Sequence, residues 1–364
     1  MAATVTPKRL ASLDILRGLD LFLLVWLQPV MISIGGATDA EWYHRLLWHF
    51  DHERWEGLRL WDMVMPLFLF MVGTSMPFAF ARFQSGSALD RKGIYGRILR
   101  RFLLLFLFGM IVQGNLLALD PAAIRIYTNT LQAIAVGYLL GSMLVIHLSV
   151  RSQVIATALL LIIYWVPMAL LGDYTPEGTF AYRVDELILG DFRGDRSYTW
   201  VWSSLTFTVT VMLGSFAGKM MRSTTAPGLR SRCALRMVLV GLGLILAGML
   251  CSLEQPIIKR LWTASMTLLS GGICFILMAL FYWWIDAKGH SRGLNWLKIY
   301  GTNAITAYVV GEVINFRSIV NSVSFGLQHL IGPEWYAVWL TFGNFAILFL
   351  LLLAMHRTDT HLKL

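Results

Sequence analysis

The chain predicts an all-helical protein that crosses a lipid bilayer many times. Three observations carry that expectation. Of 364 residues, 57% are hydrophobic and only 14% are charged, and the mean hydropathy is +0.64. A water-soluble domain carries about 25% charged residues. The apolar residues fall in runs of about 20, the length of a helix that spans the hydrocarbon core. They do not alternate in polarity over segments of about ten residues, so a membrane β-barrel is not expected.

Ten runs follow in order: 15–36, 60–81, 101–119, 127–149, 153–171, 200–221, 235–253, 262–285, 297–316 and 335–355. The first follows Lys8 and Arg9 and looks like a secretory leader. It is longer than a leader's apolar core and carries Arg17 and Asp20, so it is expected to remain as a span. The long connections are 37–59, 82–100 and 172–199. No internal repeat and no soluble second domain stand out, which predicts one transmembrane domain over 1–364.

An even number of spans puts both termini on one face. Placing that face in the cytoplasm gathers Arg82, Arg91, Lys92, Arg97, Arg100 and Arg101 there. Lys219, Arg222, Arg230, Arg232 and Arg236 join them, as do Lys288, Arg292 and Lys298. The roughly twofold bias of Lys and Arg agrees with the positive-inside rule. It accounts for most of the net charge of +9 without nucleic acid. Cys233, Cys251 and Cys274 form no CxxC pattern and no disulfide framework.

Charged groups inside spans are costly and usually face a bundle interior or a wet cavity. Asp14 and Arg17, three apart on one helix face, read as a structural ion pair near the cytoplasmic end. Thr128 and Gln132 share a face of the fourth span, and Gln113 and Asn115 end the third. Tyr308, Glu312 and Asn315 form a stripe in the ninth, with Asn303 on another face. Interhelical hydrogen bonding is the plain reading of such residues. Their concentration in the outer half points to a cavity entered from outside. A transporter more often places polar groups near the midplane, on broken helices.

The densest polar stretch is HFDHERWEGLRLWDMVMPLFLFMVG, residues 49–73. His44, His49 and His52 are spaced five and three apart with no HExxH, so a metal site is not expected. His52 can take or give a proton near neutral pH. Trp55 and Trp61 also suit a membrane interface, where an aromatic belt would be unremarkable. Asp62, at the mouth of the second span, either orients the imidazole or caps the helix.

This stretch resembles the signature of the heparan-α-glucosaminide N-acetyltransferase family, roughly HxxWxGxxxxDxxxPxFxFxxG. His52, Trp55, Gly57, Asp62, Pro66, Phe68, Phe70 and Gly73 match it. RLASLDILRGL is similar to the family's opening, with Arg9, Ser12, Asp14, Arg17 and Gly18 in place. YTNTLQAIAVGY keeps Leu131 and Gln132 of an LQR segment but has Ala133 for the arginine. MLGSFAGK matches at Gly214, Ala217 and Gly218, and GTNAITAYVVGEV at Gly301, Asn303, Tyr308 and Glu312. PEG at 176–178 also fits. The matches run in order along nearly the whole chain.

The resemblance implies transfer of an acetyl group from cytosolic acetyl-CoA, as co-substrate, to the amine of a terminal glucosamine-type sugar across the membrane. His52 would be general base or transient acetyl carrier, and Asp62 its orienting partner. Trp55, Gln132, Asn303, Tyr308 and Glu312 are the expected acceptor-side residues; Gln132, Asn303 or Tyr308 would supply an oxyanion donor. Arg97, Arg100, Arg101 and Lys219 are candidates for the coenzyme phosphates, with ordinary positive-inside charge as the plainer reading. No metal is implied. A bacterial, stand-alone, multi-pass inner-membrane form is expected, by analogy a homodimer. A sugar or lipid-linked-glycan transporter or flippase and an O-acyltransferase of a cell-envelope glycan remain alternatives.

Overall fold

The computed structural model describes residues 10–81, 88–195, 197–224 and 226–360. Lys8, Arg9 and Arg82, named above, lie outside them. Among the described residues the chain is helical, with no strand. Among the described residues, seven helices are long and apolar enough to cross a bilayer: Ala11–Gly35, Leu60–Ala79, Thr130–His147, Val150–Leu171, Pro227–Cys251, Ala264–Ala287 and Pro333–Arg357. The other three predicted runs depart from that pattern, each for a physical reason.

The helix Ser204–Ser223 sits in the protein centre, not against lipid. Thr206, Thr208, Thr210 and Ser215 are fully buried along it. The Thr208 and Thr210 hydroxyls donate to the Ser204 and Thr206 carbonyls at 2.7 and 3.0 Å. A helix packed on all sides by protein needs no greasy exterior, so its composition understates its depth. The predicted run 101–119 is instead the end of a longer helix, Ala88–Val112, which begins within the supposed 82–100 connection. It stops where Asn115 enters the left-handed region, at φ 55°. The predicted 297–316 span is two helices, Asn295–Thr302 and Ala304–Val313, parted at Asn303. Asn303 Nδ2 donates to the Ile299 carbonyl at 3.1 Å, satisfying one of the groups the break would orphan.

The first span runs on as one helix through a wider turn. A π-turn at Leu23–Leu27 precedes Pro29, absorbing the backbone hydrogen bond that proline cannot donate. The loop 37–59 is also partly ordered, by a short helix Glu41–Leu47. The 172–199 connection holds another, Phe180–Leu189.

Two crossings set the frame. The helices Val64–Ala79 and Ser204–Ser223 touch backbone to backbone: a Cβ on Gly73 would overlap the Val211 carbonyl, and one on Gly214 the Phe70 carbonyl. The first span meets Asn295–Thr302 in the same way through Gly18 and Gly301. Small residues permit this approach where lipid offers no hydrophobic drive for helix association. Several glycines of the sequence signature are therefore packing residues. Gly73→Ala is expected to destabilise the protein by about 1–3 kcal/mol through overpacking. A lowered thermal-unfolding midpoint in detergent would show it, and an unchanged midpoint would contradict the crossing.

Candidate active site

The 51–59 loop is fixed at several points. Gln28 Nε2 donates to the Phe50 carbonyl at 2.8 Å, and Trp55 Nε1 to the Tyr174 carbonyl at 2.8 Å. Arg59 pairs with Glu53 at 2.8 Å and lies 4.1 Å over the Trp48 ring. The Arg59 guanidinium holds the Glu53 carboxyl below its usual range. Gly57, at φ 123°, donates its N–H to the Ile257 carbonyl at 2.8 Å. That conformation is open to glycine and strained for other residues. It staples the loop to the 252–263 connection.

The two readings of Asp62 turn out to be the work of its two oxygens. Oδ2 accepts from the backbone N–H groups of Arg59 and Glu53, at 3.0 and 3.2 Å, capping the turn Leu60–Met63. Oδ1 lies 2.8 Å from His52 Nδ1. A carboxylate only accepts, so Nδ1 carries a hydrogen, and in the neutral ring the lone pair is then on Nε2. Asp62 is fully buried, while the His52 side chain is 37% exposed. His52 therefore faces a cavity from an immobile mount.

Sequence reasoning missed Lys259. Its Nζ lies 3.7 Å from Asp62 Oδ1 and 3.0 and 3.3 Å from the two ring nitrogens of His52. In the sequence it is one cation in a short connection, 207 residues from His52. Its apolar flanks, Ile257, Ile258, Leu261 and Trp262, were the one available sign of burial.

His52, Trp61, Asp195, Tyr198, Lys259 and Glu312 line a cavity of about 360 Å³, with Gln113 and Thr128. A second cavity, of about 530 Å³, opens at the other end of the bundle, lined by Asp14, Arg17, Arg97 and Arg101. The two share Phe68, Thr130 and Tyr308 as walls. Asp14 and Arg17 lie 3.8 Å apart. Arg101 stacks over the Tyr138 ring at 4.4 Å.

Of the predicted acceptor-side residues, Tyr308 and Glu312 reach the His52 cavity. Three others line neither cavity. Trp55 packs with Tyr174, Phe180 and Trp202, tying two loops together. Gln132 is fully buried, and its Oε1 accepts from the Thr128 N–H at 2.7 Å, bracing a turn. Asn303 serves the helix break. Of the predicted phosphate residues, Arg97 and Arg101 line the larger cavity and Arg100 does not. Lys219 is hydrogen-bonded to Gln153, which in turn donates to the Leu148 carbonyl. The three histidines do not converge: His44 bonds the Thr38 carbonyl, and His49 packs against Trp48.

The 172–199 connection is anchored by Asp185, which accepts from the Trp200 and Val201 N–H groups at 2.7 and 3.0 Å. Burial pushes its carboxyl up to about 6. This anchor sets Tyr198 and Trp200 on the cavity wall.

Fold and site together define a multi-span helical membrane protein with a His–Asp–Lys cluster at the mouth of a bundle cavity. No family model matches the chain. Two curated relatives place it more closely. The heparan-α-glucosaminide N-acetyltransferase of Mus musculus is 24% identical over 376 residues, covering 85% of this chain and 54% of that protein. The Homo sapiens protein of the same name is 30% identical over 146 residues, 38% of this chain and 19% of that protein. The relationship is distant, and the chain spans about half the length of the mouse relative.

Proposed function

We propose that the protein is a transmembrane N-acetyltransferase, moving an acetyl group from cytosolic acetyl-CoA to the amine of a glucosamine-type sugar on the opposite side. The observation that carries this reading is the pair of adjoining cavities. One has arginines at its mouth, the other has His52 on its wall, and the two meet at Phe68, Thr130 and Tyr308. Arg17, Arg97 and Arg101 suit the phosphates of the coenzyme, which guanidinium groups bind in a forked geometry. Its narrow pantetheine arm then runs toward the shared walls and presents the thioester to the outer cavity. The relatives' names supply the reaction class.

In the transfer, the acceptor nitrogen attacks the thioester carbonyl carbon. The C–S bond breaks and the sulfur leaves as thiolate, while His52 Nε2 takes the amine's proton and passes it to the thiolate. If His52 attacks first, an acetyl-imidazole forms and the amine then displaces it. Asp62 serves both routes by holding the tautomer. Tyr308, on both walls, is placed to donate to the developing oxyanion. In this topology the ten-span arrangement with cytoplasmic termini and a bacterial inner-membrane setting complete the reading.

The test is purified protein with acetyl-labelled CoA and glucosamine. Labelled N-acetylglucosamine supports the reading, and its absence with all sugar amines tried overturns it. Arg97→Gln with Arg101→Gln is expected to raise KM for acetyl-CoA about tenfold or more, with kcat little changed, because uniform binding is lost. An unchanged KM places the phosphates elsewhere. A transport reading draws on one observation, the helix broken at Asn303 beside the cavities. Sugar uptake into proteoliposomes without acetylation would favour it.

A further inference from the structure

We propose that Lys259 is a positioning residue that keeps His52 a neutral, proton-accepting imidazole by supplying the positive charge that buried Asp62 demands. The proposal rests on the functional reading above, since both acetyl-transfer routes need the Nε2 lone pair.

The geometry sets the argument. Asp62 is fully buried and accepts two backbone hydrogen bonds, which favour its ionised form. A buried carboxylate wants one compensating cation nearby. His52 and Lys259 both touch it, at 2.8 and 3.7 Å, and they touch each other. Two positive charges about 3 Å apart repel, the more so because Lys259 and Asp62 are buried beneath the half-exposed His52 ring. The cluster therefore holds one cation readily and a second only against that repulsion. The two ring nitrogens point in diverging directions, so Nζ, close to both, is not aligned with both. It acts on the ring as a charge and not as a fixed hydrogen-bond donor. With Lys259 protonated, His52 stays neutral. Burial pushes the Lys259 ammonium down to about 8, which still leaves it mostly charged near neutral pH.

The remaining charges facing the cluster do not substitute for it. Glu53 and Arg59 compensate each other, and Arg59 also lies 3.7 Å from Asp51. Arg260 is turned to the Ser197 hydroxyl at 2.6 Å and the Tyr198 ring. Asp195 and Glu312 line the cavity from two further elements, and both are solvent-accessible. Their negative charges would favour an imidazolium, which makes the lysine's opposing charge more necessary. Tyr198 and Tyr308 are neutral hydroxyls on the same walls.

The experiment follows His52 itself, apart from catalysis. Diethyl pyrocarbonate reacts with neutral imidazole, and the difference between parent and His52→Gln isolates this histidine from the other seven of the eight. Its reactivity is read against pH in Lys259→Met, Lys259→Gln and Lys259→Arg. The half-reactivity pH is expected to rise by about one unit or more in both neutral variants, because Asp62 then draws the proton onto His52. Lys259→Arg should titrate close to the parent. The proposal is overturned if the neutral variants titrate with the parent. It is also overturned if Lys259→Arg moves as far as they do, since the effect would then be packing and not charge. Acetyl transfer by His52→Gln decides the functional reading separately.

Discussion

Replacing His52 by alanine is expected to lower acetyl transfer by about 10²–10⁴-fold, the range a positioned general base contributes. The same change should leave the fold intact. The side chain makes its hydrogen bonds only within the Asp62–Lys259 cluster, and it holds no backbone group in place. Asp62 would keep its two backbone donors and the nearby lysine. The loop would still be pinned by Gln28, Trp55 and Gly57. The unfolding midpoint should therefore barely move while turnover collapses. Added imidazole can enter the vacated space and should restore part of the rate. Turnover at the parent rate in His52→Ala would remove the histidine from the chemistry. Asp62→Asn makes the complementary case. An amide still accepts from the Arg59 or Glu53 N–H, so the helix start survives, but the charge and the tautomer control are lost. Its rate loss should come with a smaller cost in stability than Asp62→Ala, which deletes the cap as well.

The sequence made the helical membrane class and the His52–Asp62 pair legible because both are short-range. Apolar runs report their own length, and ten residues separate the histidine from the carboxylate that caps the next helix. What it hid was long-range. Lys259 comes beside His52 where the Gly57 N–H ties two distant loops together. Ser204–Ser223 is legible as a helix, but its threonines give no hint that it is the buried, central one. Asn303 and Gln132 belong to the motif by type, yet the fold spends their side chains on backbone groups at a helix break and a turn. Trp55 likewise joins two loops. Motif membership marks residues that matter, and only the packing separates those that hold the frame from those that face the cavity. Gly73, Gly214 and Gly18 belong to the first kind, His52, Tyr308 and Glu312 to the second.

Filling the junction between the cavities should separate the donor's route from the chemistry. Thr130 is the smallest of the three shared wall residues and the first residue of the helix Thr130–His147. The helix start is secured by Asn129, whose Oδ1 accepts from the Leu131 and Gln132 N–H groups and whose Nδ2 donates to the Gly109 carbonyl at 2.8 Å. A larger side chain at 130 therefore leaves that cap in place. Thr130→Trp would place an indole beside Phe68 and Tyr308, on the proposed path of the thioester. Displacing a reacting group by about 1 Å can cost 100-fold, so acetyl-CoA turnover should fall by about that factor or more. His52 itself would be untouched, and a small acetyl thioester supplied from the outer side should still acetylate the sugar amine. Loss with the coenzyme and retention with the small donor would establish the junction as the path of the acetyl group. Equal loss of both would trace the effect to a distorted outer site, and equal retention would show that the coenzyme reaches His52 by another way.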